Sequence, residues 1–384
     1  MADTGRYTQR TILIMLAASL LAHLFPFHEI FAQETGVKAE NKRDKFIENF
    51  KFVLNGFTIG PHTRVFPYAG IEDWFDPYGG VKMGHRSFWN SEDKMYHHFK
   101  FESYRDYSWK FRYLANSLSS ENTKFSFLFK IKLDRDPFFY GIGNATSKSK
   151  RVEATYKSVF VGGEIRQSIS AATVFRWSPG FWKFSSGLVA GGEFERASDS
   201  RYVSSRFSLS DRKSTDYWVA SLDNQWSSYV EIALPLSSSA ASYARFNVQT
   251  RTQFPLFEAT KLSIGTRFEY LISSDRDRVP YFAIPEAGSR TGLRGFSKER
   301  FRNFALGVYN IELAFPLSVD LDGFLLTDLA QTASNPTRLA GKKIHANLGF
   351  GFRLHNTNHP FSVGLAASHD GWKLFSSIAL GSPW

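Results

Sequence analysis

The chain has 384 residues, a formal net charge of +11 and no cysteine, which excludes a disulfide framework and a thiolate metal site. Aromatic residues make up 16% of it, 38 of them Phe, more than a soluble core needs, while apolar runs long enough for helical membrane spans are missing beyond its first thirty residues. Such a basic balance suits lipid phosphate, lipopolysaccharide or anionic solutes as partners, although Lys and Arg that merely line loops and a polar interior are the better account of it.

At the start of the chain, Arg6 and Arg10 precede the apolar run Thr11–Phe27, and Ile30-Phe31-Ala32 brings a small residue just before Gln33. Charged, apolar and small, in that order, is the pattern of a secretory signal peptide, and residues 1–32 are assigned to it. The run is short for an uncleaved spanning helix. Residues 33–49 are charged and read as a short periplasmic tail, too small to fold alone. Removing residues 1–32 leaves the charge at +11, because Arg6 and Arg10 offset Asp3 and Glu29.

From residue 50 to Trp384 the dominant pattern has period two. Tyr107, Trp109, Phe111 and Tyr113 alternate with Ser108, Lys110 and Arg112. Phe125, Phe127, Phe129, Ile131 and Leu133 alternate with Lys124, Ser126, Lys130 and Lys132, with Leu128 out of pattern. Lys261–Ile272 and Ile344–Leu354 repeat the arrangement, the second with His345, Asn347, Gly349, Gly351 and Arg353 on its polar face. About ten residues of alternation with an aromatic-rich apolar face is the spacing of a membrane-spanning strand. A soluble sandwich alternates too, but over shorter strands and without so many rings facing outward. Asp76–Gly80 and Ser119–Asn122 read as turns, and Asn144–Arg151, Ser198–Ser214 and Ser273–Arg278 as polar loops. About 335 residues at roughly 20 per strand and turn predict an all-β, transmembrane antiparallel β-barrel of about 16 strands over residues 50–384.

The segment Gly292-Leu293-Arg294-Gly295-Phe296 breaks the alternation. Glycines on both sides of an arginine weaken a helix or a strand, so the segment reads as a loop folded back to deliver Arg294 to buried carboxylates. Next comes a strand with Tyr309, Ile311, Leu313, Phe315 and Leu317 on one face and Asn310 and Glu312 on the other. Asp328 then stands among apolar neighbours in the following strand. The chain ends in the strand-like Leu374–Trp384, with a terminal aromatic.

These stretches resemble the BamA/TamA-type outer-membrane assembly superfamily, also called bacterial surface antigen barrels. Leu293-Arg294-Gly295-Phe296 is similar to the family's V-R-G-F or V-R-G-Y loop, with Leu in place of Val. Asn310–Pro316 resembles its following acidic strand, and Leu326-Thr327-Asp328-Leu329-Ala330 its F-x-D-x-G strand, with Leu326 and Ala330 departing from that pattern. Phe139–Asn144 is similar to a segment of smaller members. The resemblance is specific from Pro280 to Trp384. It implies a lumen-inserted loop whose Arg294 binds Glu312 and Asp328, and a C-terminal assembly signal that includes Gly381 and Trp384. It also implies an outer-membrane location, with outer-membrane lipids and lipopolysaccharide as surroundings and the assembly machinery as partner during biogenesis. The larger members' polypeptide-transport-associated repeats have no counterpart in residues 33–49.

No enzyme is expected. Ser368-His369-Asp370 has the residue types of a triad, but adjacent side chains diverge, and the three read as a turn. No G-x-S-x-G elbow occurs. His97 and His98 fall on opposite faces of a strand, and His355 and His359 in a polar loop make a weak metal pair. No cofactor, metal or nucleic-acid partner is expected. The family reading gives a role in outer-membrane protein or lipid assembly or transport. A passive porin-like channel, and a surface antigen or adhesion scaffold, are the alternatives.

Overall fold

The computed structural model describes residues 57–59, 61–72, 76–86, 92–102, 106–134, 138–143, 146, 152–188, 199–217, 220–257, 259–318, 321–354 and 361–378. The signal peptide, the tail, His355, His359, Gly381 and Trp384 lie outside them. All described residues belong to one compact unit, Gly56–Trp384.

The strands are β1 (Phe57–Ile59), β2 (Thr63–Glu72), β3 (Asp76–Arg86), β4 (Lys94–Glu102), β5 (Asp106–Ala115), β6 (Thr123–Asp134) and β7 (Phe138–Phe139). There follow β8 (Val152–Ser168), β9 (Thr173–Leu188), β10 (Asp199–Tyr217), β11 (Ala220–Pro235), β12 (Tyr243–Phe257) and β13 (Thr260–Ser273). The last are β14 (Glu286–Ala287), β15 (Phe301–Arg302), β16 (Ala305–Pro316), β17 (Leu321–Ala333), β18 (His345–Leu354), β19 (Phe361–Ser368) and β20 (Gly371–Ile378). Sixteen of these have eight residues or more. Each long strand pairs antiparallel with the next in sequence, from β2 to β20. Cα atoms of β2 and β20 come within 8 Å of each other, which brings the two ends of the sheet together.

The side chains alternate as the sequence predicts. Along β18, Ala346, Leu348, Phe350 and Phe352 are exposed on the outer face, while His345, Asn347, Gly349 and Gly351 are buried within. Phe99, Phe101, Phe127, Val161, Phe207, Phe246 and Phe268 continue this apolar outer surface around the sheet. Leu128, out of pattern in sequence, points inward and is buried opposite Gly162.

Two expectations from local chemistry are corrected. Asp76–Gly80 is not a turn but the first half of β3, in register with Tyr68–Glu72. Its Pro and Gly sit at the strand's start, where ladder pairing outweighs their turn preference. Ser198–Ser214 is not a loop, since nearly all of it lies in the 19-residue β10, which pairs with β9 over Asp199–Asp211 and with β11 over Tyr202–Tyr217. Serines on both faces dilute its apolar alternation, yet Val203 and Phe207 still face outward and Tyr202 is fully buried. Ser119–Asn122 does lie in the connection between β5 and β6.

Because every neighbouring pair is antiparallel, the connections alternate between two ends. Short links at 169–172, 258–259 and 317–320 mark one end, and 274–304, 334–344 and 369–370 the other. The 274–304 segment turns into the barrel and forms its core. Val279, Ala283, Ile284 and Phe304 pack against Tyr202, Ala233, Tyr243 and Leu271 of the wall. Leu293, Phe296 and Phe301 pack against Leu306, Val308 and Ala330. Burying one such Leu or Phe contributes about 1.5–3 kcal/mol, so the inserted segment is held by apolar contact as well as by charge.

Candidate functional site

Strands β16, β17 and β18 build the receiving wall. Register places Asn310 opposite Asp328 and Asp328 opposite Asn347, so two amides flank one carboxylate on the inner face. Asn310 Nδ2 donates to Asp328 Oδ1 at 2.7 Å and Asn347 Nδ2 to Oδ2 at 3.0 Å. Arg294 completes the set. Its backbone N–H and Nε donate to Oδ2 at 3.0 and 3.1 Å, and Nη2 to Oδ1 at 2.7 Å. Asp328 is 0% exposed, a burial a carboxylate tolerates only when charge-paired and hydrogen-bonded in this way.

The remaining guanidinium nitrogen, Nη1, donates to Glu312 Oε2 at 2.7 Å, and Arg353 Nη2 approaches Glu312 Oε1 at 2.8 Å. The result is a chain of alternating charge, Asp328–Arg294–Glu312–Arg353. Desolvation pulls the Arg294 pKa down, but the hydrogen bonds and charge of Asp328 and Glu312 outweigh it and the net direction is up. Arg294 also lies over the Phe375 ring at 5.7 Å. The structure thus brings together Arg294, Glu312 and Asp328.

The glycines around Arg294 have separate reasons. Gly292 has φ +102°, which few side chains adopt, and its carbonyl accepts from Asn310 Nδ2 at 2.7 Å. At Gly295 the backbone runs so close to β18 that a Cβ would stand 2.6 Å from that of Asn347. Leu293 and Phe296 are both fully buried, and Phe296 meets Phe301 and His369 edge to face at 5.2 and 5.0 Å. Leu326 and Ala330, the two departures from the family pattern, are buried on the same inner face as Asp328.

Three further arginines hold the segment, and sequence reasoning assigned none of them a partner. Arg353 stood out only as a charged inner residue of β18. Arg300, 2% exposed, donates from Nε to Asp370 at 2.6 Å and to the Thr146 hydroxyl and carbonyl at 2.9 Å each. It also stacks over Tyr140 and Phe301, at 4.8 and 4.6 Å. Thr146 therefore belongs to the packed loop end, although the run Asn144–Arg151 reads as a polar solvent loop. Arg302 pairs with Glu286 and, at 2.7 Å, with Glu299, while its Nη1 donates to the carbonyls of Tyr281 and Ile284. Gly143 N–H donates to the Arg302 carbonyl at 2.8 Å, which ties Phe139–Gly143 to the same segment.

Ser368, the last residue of β19, and His369 and Asp370 of the link to β20 serve the loop. The Ser368 hydroxyl donates to the Gly295 carbonyl at 2.7 Å, and Asp370 meets Arg300. Among the described residues, no three His, Asp or Glu side chains converge in a way that could hold a metal ion. Below the loop lies a cavity of about 970 Å³, walled by Gly292, Arg294 and Glu312 on one side and reaching Ala171 and Ala172 at the short-link end.

No protein-family model and no curated protein matches the sequence. Solved structures are similar in fold. BamA from Haemophilus ducreyi, in a crystal structure lacking POTRA domains 1-3, superposes with a TM-score of 0.62 at 11% identity, over 83% of this chain and 70% of that one. CdiB from Acinetobacter baumannii gives 0.58 at 12% identity over 83% and 59%, and CdiB from Escherichia coli 0.55 at 11% over 85% and 63%. The chain therefore spans less than two thirds of either CdiB. The fold is a BamA- and CdiB-like antiparallel β-barrel.

Proposed function

We propose that this chain is an outer-membrane β-barrel acting in outer-membrane protein or lipid assembly or transport, with the arginine loop as lumen plug and structural lock. One observation carries the reading: Arg294, on a loop between two glycines, is bound inside the barrel by both Asp328 and Glu312. That arrangement is the one the family resemblance implies, and the barrel is BamA- and CdiB-like in fold. The exposed band of Phe, Leu and Val on the outer face supports a lipid surrounding. Outer-membrane lipids, lipopolysaccharide and, during biogenesis, the assembly machinery are the partners this reading requires.

A passive porin-like channel needs an open lumen, whereas the 274–304 segment fills one end of this one. A surface antigen or adhesion scaffold would act through its loops and leave conductance without a role. Deleting 290–302 and measuring conductance in planar bilayers tests the plug. The deletion variant should conduct in large steady steps, while the wild type stays largely closed. Equal conductance in both would remove the plug and favour the porin-like reading.

A further inference from the structure

The inner wall carries its charge unevenly. Across β10–β13 the charges are matched, with Arg206 bound to Glu231 and Arg245 to Glu269. Toward the short-link end of the cavity they are not. Among the described residues, six arginines line the cavity against two carboxylates, Asp211 and Glu312. Glu312 is shared between Arg294 and Arg353, and Asp211 accepts from the Thr173 hydroxyl at 2.9 Å. Arg267 reaches Glu269 at 3.5 Å and the Glu286 carbonyl at 2.8 Å.

Arg166, Arg176 and Arg251 are left. Arg166 and Arg176 are direct register partners on β8 and β9, a placement in which like charges oppose each other at neighbouring-strand distance. Arg176 donates to the neutral Ser210 hydroxyl at 3.2 Å, and neither Arg166 nor Arg251 forms an ion pair or hydrogen bond among the described residues. The nearby carboxylate, Glu164, is paired with Arg112, and an anion between the facing arginines would relieve their repulsion. Their planar forks match the oxygens of a phosphate group, and the cavity's size is that of a small-ligand site.

We propose that this cavity binds a phosphate-bearing ligand, gripped by the facing Arg166 and Arg176, with Arg251 three strands away on the same lining, and entering from the end marked by the 169–172 link. The shared chemistry is a phosphate group, either of a free phosphorylated compound or of a lipid headgroup. This goes beyond the plug reading and stands on different residues.

The test uses the full barrel in an uncharged maltoside detergent. Calorimetric titration with inorganic pyrophosphate forms one arm, and titration with phosphatidic acid in mixed micelles, against phosphatidylcholine, the other. The wild type should bind in at least one arm. An Arg166→Gln/Arg176→Gln variant should bind at least tenfold more weakly, the effect of losing about 1.4 kcal/mol of charge-assisted bonding. Arg338→Gln, at an exposed position in the 334–344 connection, should bind as wild type does. Pyrophosphate alone would identify a free compound, and phosphatidic acid alone a lipid headgroup.

A second measurement needs no variant. Ligand bound to wild-type protein should slow phenylglyoxal modification of Arg166, Arg176 and Arg251, read by peptide mass mapping, and leave Arg338 unprotected. Absence of wild-type binding in both arms, or unchanged labelling at the three arginines, would overturn the proposal.

Discussion

Asp328 accepts five hydrogen bonds, three from Arg294 and one each from Asn310 and Asn347. Removing the Asp328 carboxylate leaves Arg294 only Glu312, and removing the Arg294 side chain leaves Asp328 its amide and backbone donors but no counter-charge. Breaking a fully buried pair typically costs about 3–5 kcal/mol, but the Arg294 side chain is 21% exposed to the lumen, so the loss should fall at or below the lower edge. Arg294→Ala should therefore give a folded barrel of lower heat stability with a loosened loop, and Asp328→Ala should match it. The double variant should be no worse than either single change, because one interaction has been removed twice. Additive losses in that cycle, measured as the temperature at which the barrel unfolds in detergent, would show that the two residues do not interact. Arg294, Glu312 and Asp328 were legible in the sequence because an arginine between glycines and a lone acid in an apolar strand have no local explanation. Arg300 and Arg302 were not, since they look like surface charge until Thr146, Asp370 and Glu286 are brought to them by the fold.

At the scale of elements, legibility follows the contrast between the two faces of a strand. β18 presents Leu348, Phe350 and Phe352 against glycine and asparagine, and its pattern is plain. β10 has serine on both faces, so only its pairing with β9 and β11 identifies it as a strand. The inserted segment is a third case. Its apolar residues have no period, because they fit the uneven inner surface of a barrel and not a regular face. Its attachment to the β19–β20 link runs through Arg300 and Asp370, with side chains 2% and 5% exposed. Arg300→Ala should free that end of the segment while the distant Arg294 bonds persist. Trypsin cleavage at Lys298 or Arg302 in the folded barrel should then run at least tenfold faster, the effect of about 1.4 kcal/mol on local opening. Asp370→Asn, which keeps one acceptor for Arg300, should give a smaller increase. Cleavage at the wild-type rate in both variants would mean that the segment is held without this pair.

Among the described residues the barrel is a ladder in which each of sixteen long strands is hydrogen-bonded to its sequence neighbours. Such a sheet has few places to begin unfolding, since opening one strand breaks two ladders at once and exposes edges that no water reaches inside a bilayer or micelle. The inserted segment adds a core at one end, joined to the wall by both apolar packing and ion pairs. These features predict a kinetic barrier large enough to survive denaturing detergent at room temperature. In a gel, unheated protein should migrate as a compact species and boiled protein at the position of its full chain length. The outer-face band of Phe, Leu and Val predicts where that species is found: in the outer-membrane fraction, extractable by detergent and not by salt or urea. Arg294→Ala should lower the temperature of the gel shift without abolishing it, because the strand ladders remain. Recovery of the wild type as a soluble periplasmic protein, with one mobility before and after boiling, would contradict the membrane location and leave the apolar outer face unexplained.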